Sequence, residues 1–339
     1  NGIEVVRWKK DNQGNDLKPR SVEVPQWISS YYYDSDGYIS KPLAIYLTKG
    51  RHTISMLSLR EPMLIHSLSL KNAENVLDYA FAKTVWDSMG VSDSSGQHIR
   101  IEAENASLTS SQMLYPRQDQ SSPAVYPSSP KTLLNNTIGD NSWRNAGQWI
   151  QWDFEVTESG YYHISLHAKQ SYLRGINVSR KITIDGIVPF EEMSDYEFSY
   201  NSRWKDVVLS DKDGNPYKFY LEKGTHTIRM EVVLGEFSDI VSEVQDAVTK
   251  LNNIYRKVIR ITGVNPDKYR DYQIERTLPG LEAELIDVRD QLANAITSLR
   301  EVAGKNSDKE TVLRTMRDQL SQLIEDQEDF IKVITSYKI

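Results

Sequence analysis

The chain has 339 residues, no cysteine and a formal net charge of −7. This length accommodates two or three domains. The lack of thiols excludes disulfides, zinc–thiolate sites and thiol catalysis, and the acidic balance argues against nucleic acid or an anionic membrane as main partner, since those need basic patches. No run approaches eighteen apolar residues, so no transmembrane segment is read, and the stretch from Asn1 to Lys10 is not a signal peptide.

Residues 1–72 read as a partial β-sandwich, the second half of a jelly roll. Its markers are Trp8, the alternation Val22-Glu23-Val24, Trp27 and the cluster Tyr31-Tyr32-Tyr33, followed by a run from Pro42 to Met56 and a closing strand from Met63 to Leu70. The run from Pro42 to Met56 returns 174 residues later, from Pro216 to Met230, with nine of fifteen positions identical. In each copy one alternating run enters a Lys-Gly turn and another leaves it, which predicts a β-hairpin whose glycine supplies a positive φ. Asn72 is placed to cap a short helix from Ala73 to Met89 ended by Gly90, and residues 73–97 read as a helical linker.

Residues 98–235 read as a second jelly roll. His98 to Glu104 predicts a strand with Ile99, Ile101 and Ala103 on one side and Arg100, Glu102 and Glu104 on the other. A Ser/Pro-rich loop follows from Tyr115 to Pro130. Ile150, Trp152, Phe154 and Val156 are the expected core side of the next strand, with Trp149, Gln151, Asp153 and Glu155 outward; Tyr162, Ile164, Leu166 and Ala168 repeat the pattern.

From Ile240 the period changes from two to a heptad. Three seams follow: Ile240, Val244, Ala247, Leu251, Ile254, Val258 and Ile261; then Leu281 to Val302; then Leu313, Met316, Leu320, Leu323, Gln327, Phe330, Ile334 and Tyr337. Ser307 and Glu310 have capping-box spacing. Residues 236–339 thus read as an antiparallel three-helix coiled coil, and the fold class is multidomain β plus α. Copy one of the repeat leads into a closing strand and copy two into a helix, so the helices read as an insertion before a last strand beyond Ile339.

The stretches Ile101-Glu-Ala-Glu-Asn105, Asn136-Thr-Ile-Gly-Asp140, Gly147-Gln-Trp-Ile-Gln-Trp152, Ile184-Asp-Gly186 and Tyr220 to Ile228 resemble the galactose-binding-like jelly rolls used as carbohydrate-binding modules. The whole chain, with Asn252 to Lys257 and Gly263 to Tyr272, is similar to the middle of large bacterial extracellular solute-binding proteins of carbohydrate ABC importers. That resemblance implies a Gram-positive cell-surface lipoprotein that meets an oligosaccharide or polysaccharide. Any contact with an ABC permease would be made through regions outside this chain. It also implies a structural Ca²⁺ at Glu102 and Glu104, with an Asp from a closing strand; in copy one His66 falls near that place.

The residues themselves carry parallel readings. Two carboxylates on one side of a strand, roughly 7 Å apart, can share a hard cation or be a solvated face. An aromatic platform with a few polar groups can take a pyranose, and Trp143, Trp149, Tyr172, Arg174, Asn177 and Arg180 are the candidates; each can equally be structural. His52 and His226 occupy equivalent repeat positions and read as hydrogen-bonding strand residues. His163 and His167 would lie too far apart to ligate one metal. No nucleophile elbow, phosphate loop or HExxH spacing occurs. The expectation is a non-catalytic glycan-binding or accessory region, the alternatives being a ligand-free spacer or a region accessory to a glycoside hydrolase.

Overall fold

The computed structural model describes residues 8–325 except 35–36, 38–40, 59–63, 73–75, 173, 268–269, 271 and 304–307. Its strands are β1 (Leu108–Thr109), β2 (Pro116–Arg117), β3 (Thr137–Ile138), β4 (Trp149–Val156), β5 (Gly160–Tyr162), β6 (Ser165–Gln170), β7 (Val178–Ile184), β8 (Tyr196–Phe198), β9 (Asn201–Val208), β10 (Phe219–Leu221) and β11 (Gly224–Val233). The helices are α1 (Tyr79–Ser88), α2 (Ser238–Thr262), α3 (Ile274–Thr277), α4 (Leu281–Ala303) and α5 (Asp308–Glu325). The chain is therefore mixed β plus α, with antiparallel sheets followed by C-terminal helices.

One sheet has the order β1-β4-β11-β7-β8; the pairs β5–β10 and β6–β9 lie apart from it, as does β2–β3. The alternation of β4 sends Ile150 and Trp152 inward, where they join Ile182 of β7, Met230 of β11 and Phe219 of β10 in one buried cluster. Phe190 is fully buried in that cluster beside Tyr79 and Tyr217, at centroid distances of 4.9 and 5.0 Å. Burying a side chain of that size stabilises by about 2–3 kcal/mol. The cluster also takes Ala82 of α1, and the Tyr161 hydroxyl donates to Asp87 at 2.7 Å, so α1 packs on the sandwich. The cap of α1 is Asp78, which accepts from the Phe81 N–H at 2.8 Å; Asn72 lies six residues earlier.

The repeated run does not form a hairpin in copy two. β10 pairs with β5, whereas β11 pairs with β4 and β7, so the two runs on either side of Lys223-Gly224 go to different sheets. Each run has an apolar side, and burying both is easier when each joins its own layer than when they pair as an isolated ribbon. The turn itself is the same in both copies. Gly50 and Gly224 have φ of +152° and +151°, a region that favours glycine. The Nε2 atoms of His52 and His226 lie 2.7 Å from the carbonyl oxygens of Thr48 and Glu222. Both histidines thus act as hydrogen-bonding residues of the turn.

A second repeat, Asp-x-x-Gly-Asn at 11–15 and again at 211–215, has the same loop geometry in both copies. Asp11 accepts from the N–H groups of Gln13 and Asn15 and from the Asn15 side chain, and Asp211 does the same with Asp213 and Asn215. Bridges Lys10–Asp16 and Ser210–Pro216 close the two loops. Beyond Asp16, the described residues up to Leu77 carry no strand or helix. Among the described residues between 17 and 72 no strand of the half-sandwich expected over 1–72 is present, and the alternating Leu43, Ile45 and Leu47 are 46%, 66% and 39% exposed. Part of the closing strand expected from Met63, and the start of the helix expected at Ala73, lie outside the described residues.

His98 to Glu104 is not a strand either: residues 103–105 form a single turn of 3₁₀ helix. The turn presents the Ala103 carbonyl to the Trp152 indole N–H at 2.8 Å and carries Glu104 into the interior. Residues 92–94, read as linker, run beside β5, with the Tyr161 N–H donating to the Ser92 carbonyl at 3.0 Å.

The helical seams fold as long helices. Ile240, Ala247, Ile254 and Val258 of α2, Leu285, Val288, Leu292, Ala295 and Leu299 of α4, and Leu313, Leu320 and Leu323 of α5 share one core. Lys250–Asp287 (2.5 Å) and Lys257–Glu284 (2.6 Å) set α2 antiparallel to α4. Glu310, expected in a capping box, is buried and binds Arg300 and Arg314 at 2.6 and 2.7 Å. Ser307 and the seam residues Gln327, Phe330, Ile334 and Tyr337 lie outside the described residues.

Candidate functional site

The sequence candidates divide into two groups. The first lies at the loop end of the sandwich, near β2, β3, the turn at 140–142 and the β6–β7 loop. Asp140, at φ +57°, opens that turn and directs its carboxylate to two partners. Arg117 of β2 donates to it at 3.0 Å, and the Tyr172 hydroxyl donates to the other oxygen. Tyr172 is 62% exposed, so an aromatic ring stands in solvent with its hydroxyl tethered. The hydrogen bond to Asp140, then burial, raises the Tyr172 phenol above its usual pKa.

Trp143 follows in the same turn. Its indole N–H donates to the Gln148 carbonyl at 3.1 Å, and the Arg180 guanidinium sits 4.3 Å from its ring centre. Gly139 packs on the ring: a Cβ there would meet it at 3.0 Å. Arg180 donates to the carbonyls of Ser179 and Trp143 at 2.9 and 3.1 Å, and its Nε is buried without a hydrogen-bond partner. Burial pulls this guanidinium down to about 10. The Trp143 ring therefore has a glycine on it and a cation over it.

Asn177 is exposed and donates to Glu197 at 2.8 Å, and Arg174 is exposed in the β6–β7 loop. Sequence reasoning missed Tyr115, Arg117 and Lys18. The ammonium of Lys18 lies 3.7 Å from the Tyr115 ring centre and the Arg117 guanidinium 5.1 Å from it. Asp140 had a signal, the turn residues Gly139-Asp140, and Arg117 had one in its i,i+2 spacing from Tyr115, whereas Lys18 reaches that ring only through the fold.

The second group is on the outer face of the five-stranded sheet. Trp149 begins β4, and the Arg229 guanidinium lies 3.9 Å from its ring centre while donating to the Gln151 side chain at 3.1 and 2.7 Å. The alternation that placed Trp149 outward is thus met in the fold, with Arg229 covering it.

Glu102 and Glu104 do not project from one side of a strand. Glu102 accepts from Arg100 at 2.6 Å, whereas Glu104 is buried. Burial pushes the Glu104 carboxyl up to about 7, and the neighbouring Glu102 charge adds to this. A buried carboxylate beside a second one suits a hard cation, but Arg100 already occupies Glu102. Among the described residues no group of three or more His, Asp or Glu is arranged to hold a metal.

The remaining polar clusters have structural partners. His163 Nδ1 lies 2.9 Å from the Tyr217 carbonyl, and His167 pairs with Asp206 and stacks on Trp204. Asp119 in the Ser/Pro-rich loop is held at about 2: burial would raise it, but Lys169 at 2.7 Å and the Ser121 hydroxyl and N–H outweigh burial.

No curated protein matches the chain. Among solved structures, a Paenibacillus sp. cycloisomaltooligosaccharide glucanotransferase is 20% identical over 46% of this chain, with a TM-score of 0.28; the chain spans 20% of that enzyme's length. A family 35 carbohydrate binding module from Clostridium thermocellum is 16% identical over 41% of this chain and 88% of its own, with a TM-score of 0.30. One from an environmental isolate is 16% identical over 40% of this chain and 82% of its own, with a TM-score of 0.23. These scores lie below the level at which a shared overall fold follows. Residues 239–336, from the start of α2 onward, match the family model of the bacterial solute-binding protein 4-helix bundle domain.

Proposed function

We propose that the chain is a non-catalytic, carbohydrate-binding part of a bacterial solute-binding protein, and that its β-sandwich takes a sugar at the loop end. The observation that carries this reading is Tyr172: a ring 62% exposed, with its hydroxyl fixed by Asp140 beside the Arg117 guanidinium. A fixed ring loses little freedom when a pyranose stacks on it, and charged groups beside it can take the hydroxyls. Arg174 and Asn177 of the neighbouring loop are the further polar contacts in this proposal. The helical family match supports a solute-binding context, outside the cytoplasmic membrane, and anchoring at a Gram-positive cell surface is the finer reading. Among the described residues no helix is long and apolar enough to cross a membrane. A Ca²⁺ at Glu102 and Glu104 is part of the proposal; it would replace Arg100 as the partner of Glu102 and compensate the buried Glu104 charge. A ligand-free spacer is the second reading, favoured by the arginines that cover Trp143 and Trp149. Glycan-array screening of the chain, with Tyr172→Ala beside it and with EDTA, separates the two: binding lost in the variant supports the site, and no binding to any glycan supports the spacer.

A further inference from the structure

The loop end of the sandwich has a neighbour from well before it in the sequence. Residues 9–18 run beside residues 132–135, just ahead of β3. The Asp16 N–H donates to the Leu133 carbonyl at 2.8 Å, and the Leu133 N–H donates to the Asn15 side chain at 2.8 Å. The buried Asp16 carboxylate accepts from the Asn135 N–H at 2.9 Å on one oxygen and from Lys10 at 2.8 Å on the other. Its backbone carbonyl accepts from the Gln118 side chain, next to β2, at 3.0 Å. A buried carboxylate bonded on both oxygens holds its segment in place, because moving off would leave buried groups unpaired.

Two residues on, that hold delivers Lys18. Its ammonium lies 3.7 Å from the Tyr115 ring centre, and among the described residues no oxygen accepts from it. Arg117, 5.1 Å from the same ring, spends a donor on Asp140, while its Nε is buried without a partner. Two cations with unspent donors therefore flank Tyr115, and neither can accept a hydrogen bond. What suits them is a ligand rich in acceptor oxygens. Asp140 joins this group to Tyr172, since its carboxylate takes both Arg117 and the Tyr172 hydroxyl.

We infer that Lys18 is a ligand-binding, specificity-determining residue of the loop-end site, carried there by the docked segment 9–18. The inference rests on the sugar reading of Tyr172 and extends it to a substrate class. The Tyr172 ring and the Lys18–Arg117 pair form two adjoining subsites, with the Arg117–Asp140 pair between them. The ligand is thus an oligosaccharide, one unit stacked on Tyr172 and the next giving its oxygens to Lys18 and Arg117. Asp16 is a positioning residue. Lys18 itself is exposed, so its ammonium serves the ligand and not the fold.

The test is a printed array that carries each glycan at several chain lengths, probed with dilutions of the full chain. The parent should bind the longer members of a series more tightly than the single sugar. Lys18→Met, which keeps the stem and deletes the ammonium, should weaken the longer members about tenfold, the usual effect of losing one charge-assisted hydrogen bond, and leave the melting temperature unchanged. Tyr172→Ala should weaken every length. Asp16→Ala should act as Lys18→Met does, and if it misfolds Lys18→Met decides. If Lys18→Met binds the longer glycans as the parent does, or if the parent gains nothing with length, the inference is overturned while the sugar reading stands. A lower melting temperature with equal weakening at every length would make Lys18 structural and overturn it too. No binding of any glycan by the parent overturns both readings.

Discussion

The Arg180 guanidinium lies 4.3 Å from the centre of the Trp143 ring and donates to that residue's carbonyl oxygen at 3.1 Å. One side chain thus fixes both the ring and the backbone of the turn that begins at Asp140. Replacing it by Ala removes a half-buried cation–π contact and two charge-assisted hydrogen bonds, for an expected loss of about 2–4 kcal/mol. Arg180→Lys should recover only a part, because an ammonium cannot reach both carbonyls from one plane. Urea unfolding of the two variants measures this; equal stability of Arg180→Ala and the parent would show the stack to be idle.

His226 makes stability depend on pH. Burial alone would lower its pKa, but the Asp185 carboxylate at 2.7 Å and the Glu222 carbonyl outweigh burial, and the folded value is raised above 6.5. A raised basic group stabilises the fold fully below its unfolded pKa, and the contribution is lost as pH climbs through the folded one. The melting temperature should therefore fall as pH rises from just below 6.5 through the raised value, and His226→Gln should flatten that part of the profile.

Glu104 acts in the same direction over a lower pH range. Its carboxyl is pushed up to about 7, so the fold carries no penalty while the group is protonated in both states, and a growing one as pH rises from about 4.5 through about 7. In EDTA, Glu104→Gln should melt higher than the parent at pH 8 and level with it at pH 4. Adding CaCl₂ at pH 8 should raise the parent and leave Glu104→Gln unmoved if the proposed cation binds.

Gly160 is needed for its size. A Cβ there would meet the Ser92 carbonyl oxygen and the Ser94 nitrogen, both at 2.9 Å. Because both are backbone atoms, no rotamer change relieves the contact, and Gly160→Ala should cost about 1–3 kcal/mol. Thermal melting checks it, and an unchanged midpoint would mean that residues 92–94 can move away from β5.

Periodicity made the helices and most of the sandwich core readable. The heptads of α2 and α4 name buried residues because a helix face is set locally, as Leu285, Leu292 and Leu299 show. Alternation placed Ile150 inward and Trp149 outward for the same reason. It failed at Glu104, where a 3₁₀ turn replaced a strand, and at the Lys-Gly turn, where alternation cannot tell a hairpin from a crossing between sheets. Partners distant in sequence were out of reach altogether: Tyr33 with Lys181, Lys18 with Tyr115, and Arg229 with Trp149 each meet only through the fold. The candidate sugar residues were named as types suited to stacking, and the fold then set Tyr172 apart as the one of these aromatics that is largely exposed.

The function proposed for the loop end is to hold sugar through Tyr172. Isothermal titration of the parent and of Tyr172→Ala, using the glycan that gives the strongest array signal, tests it most directly. Saturable binding by the parent is expected, with a loss of about tenfold or more in the variant, as one stacking ring contributes on the order of 1–2 kcal/mol. Equal affinity of the two proteins would contradict it.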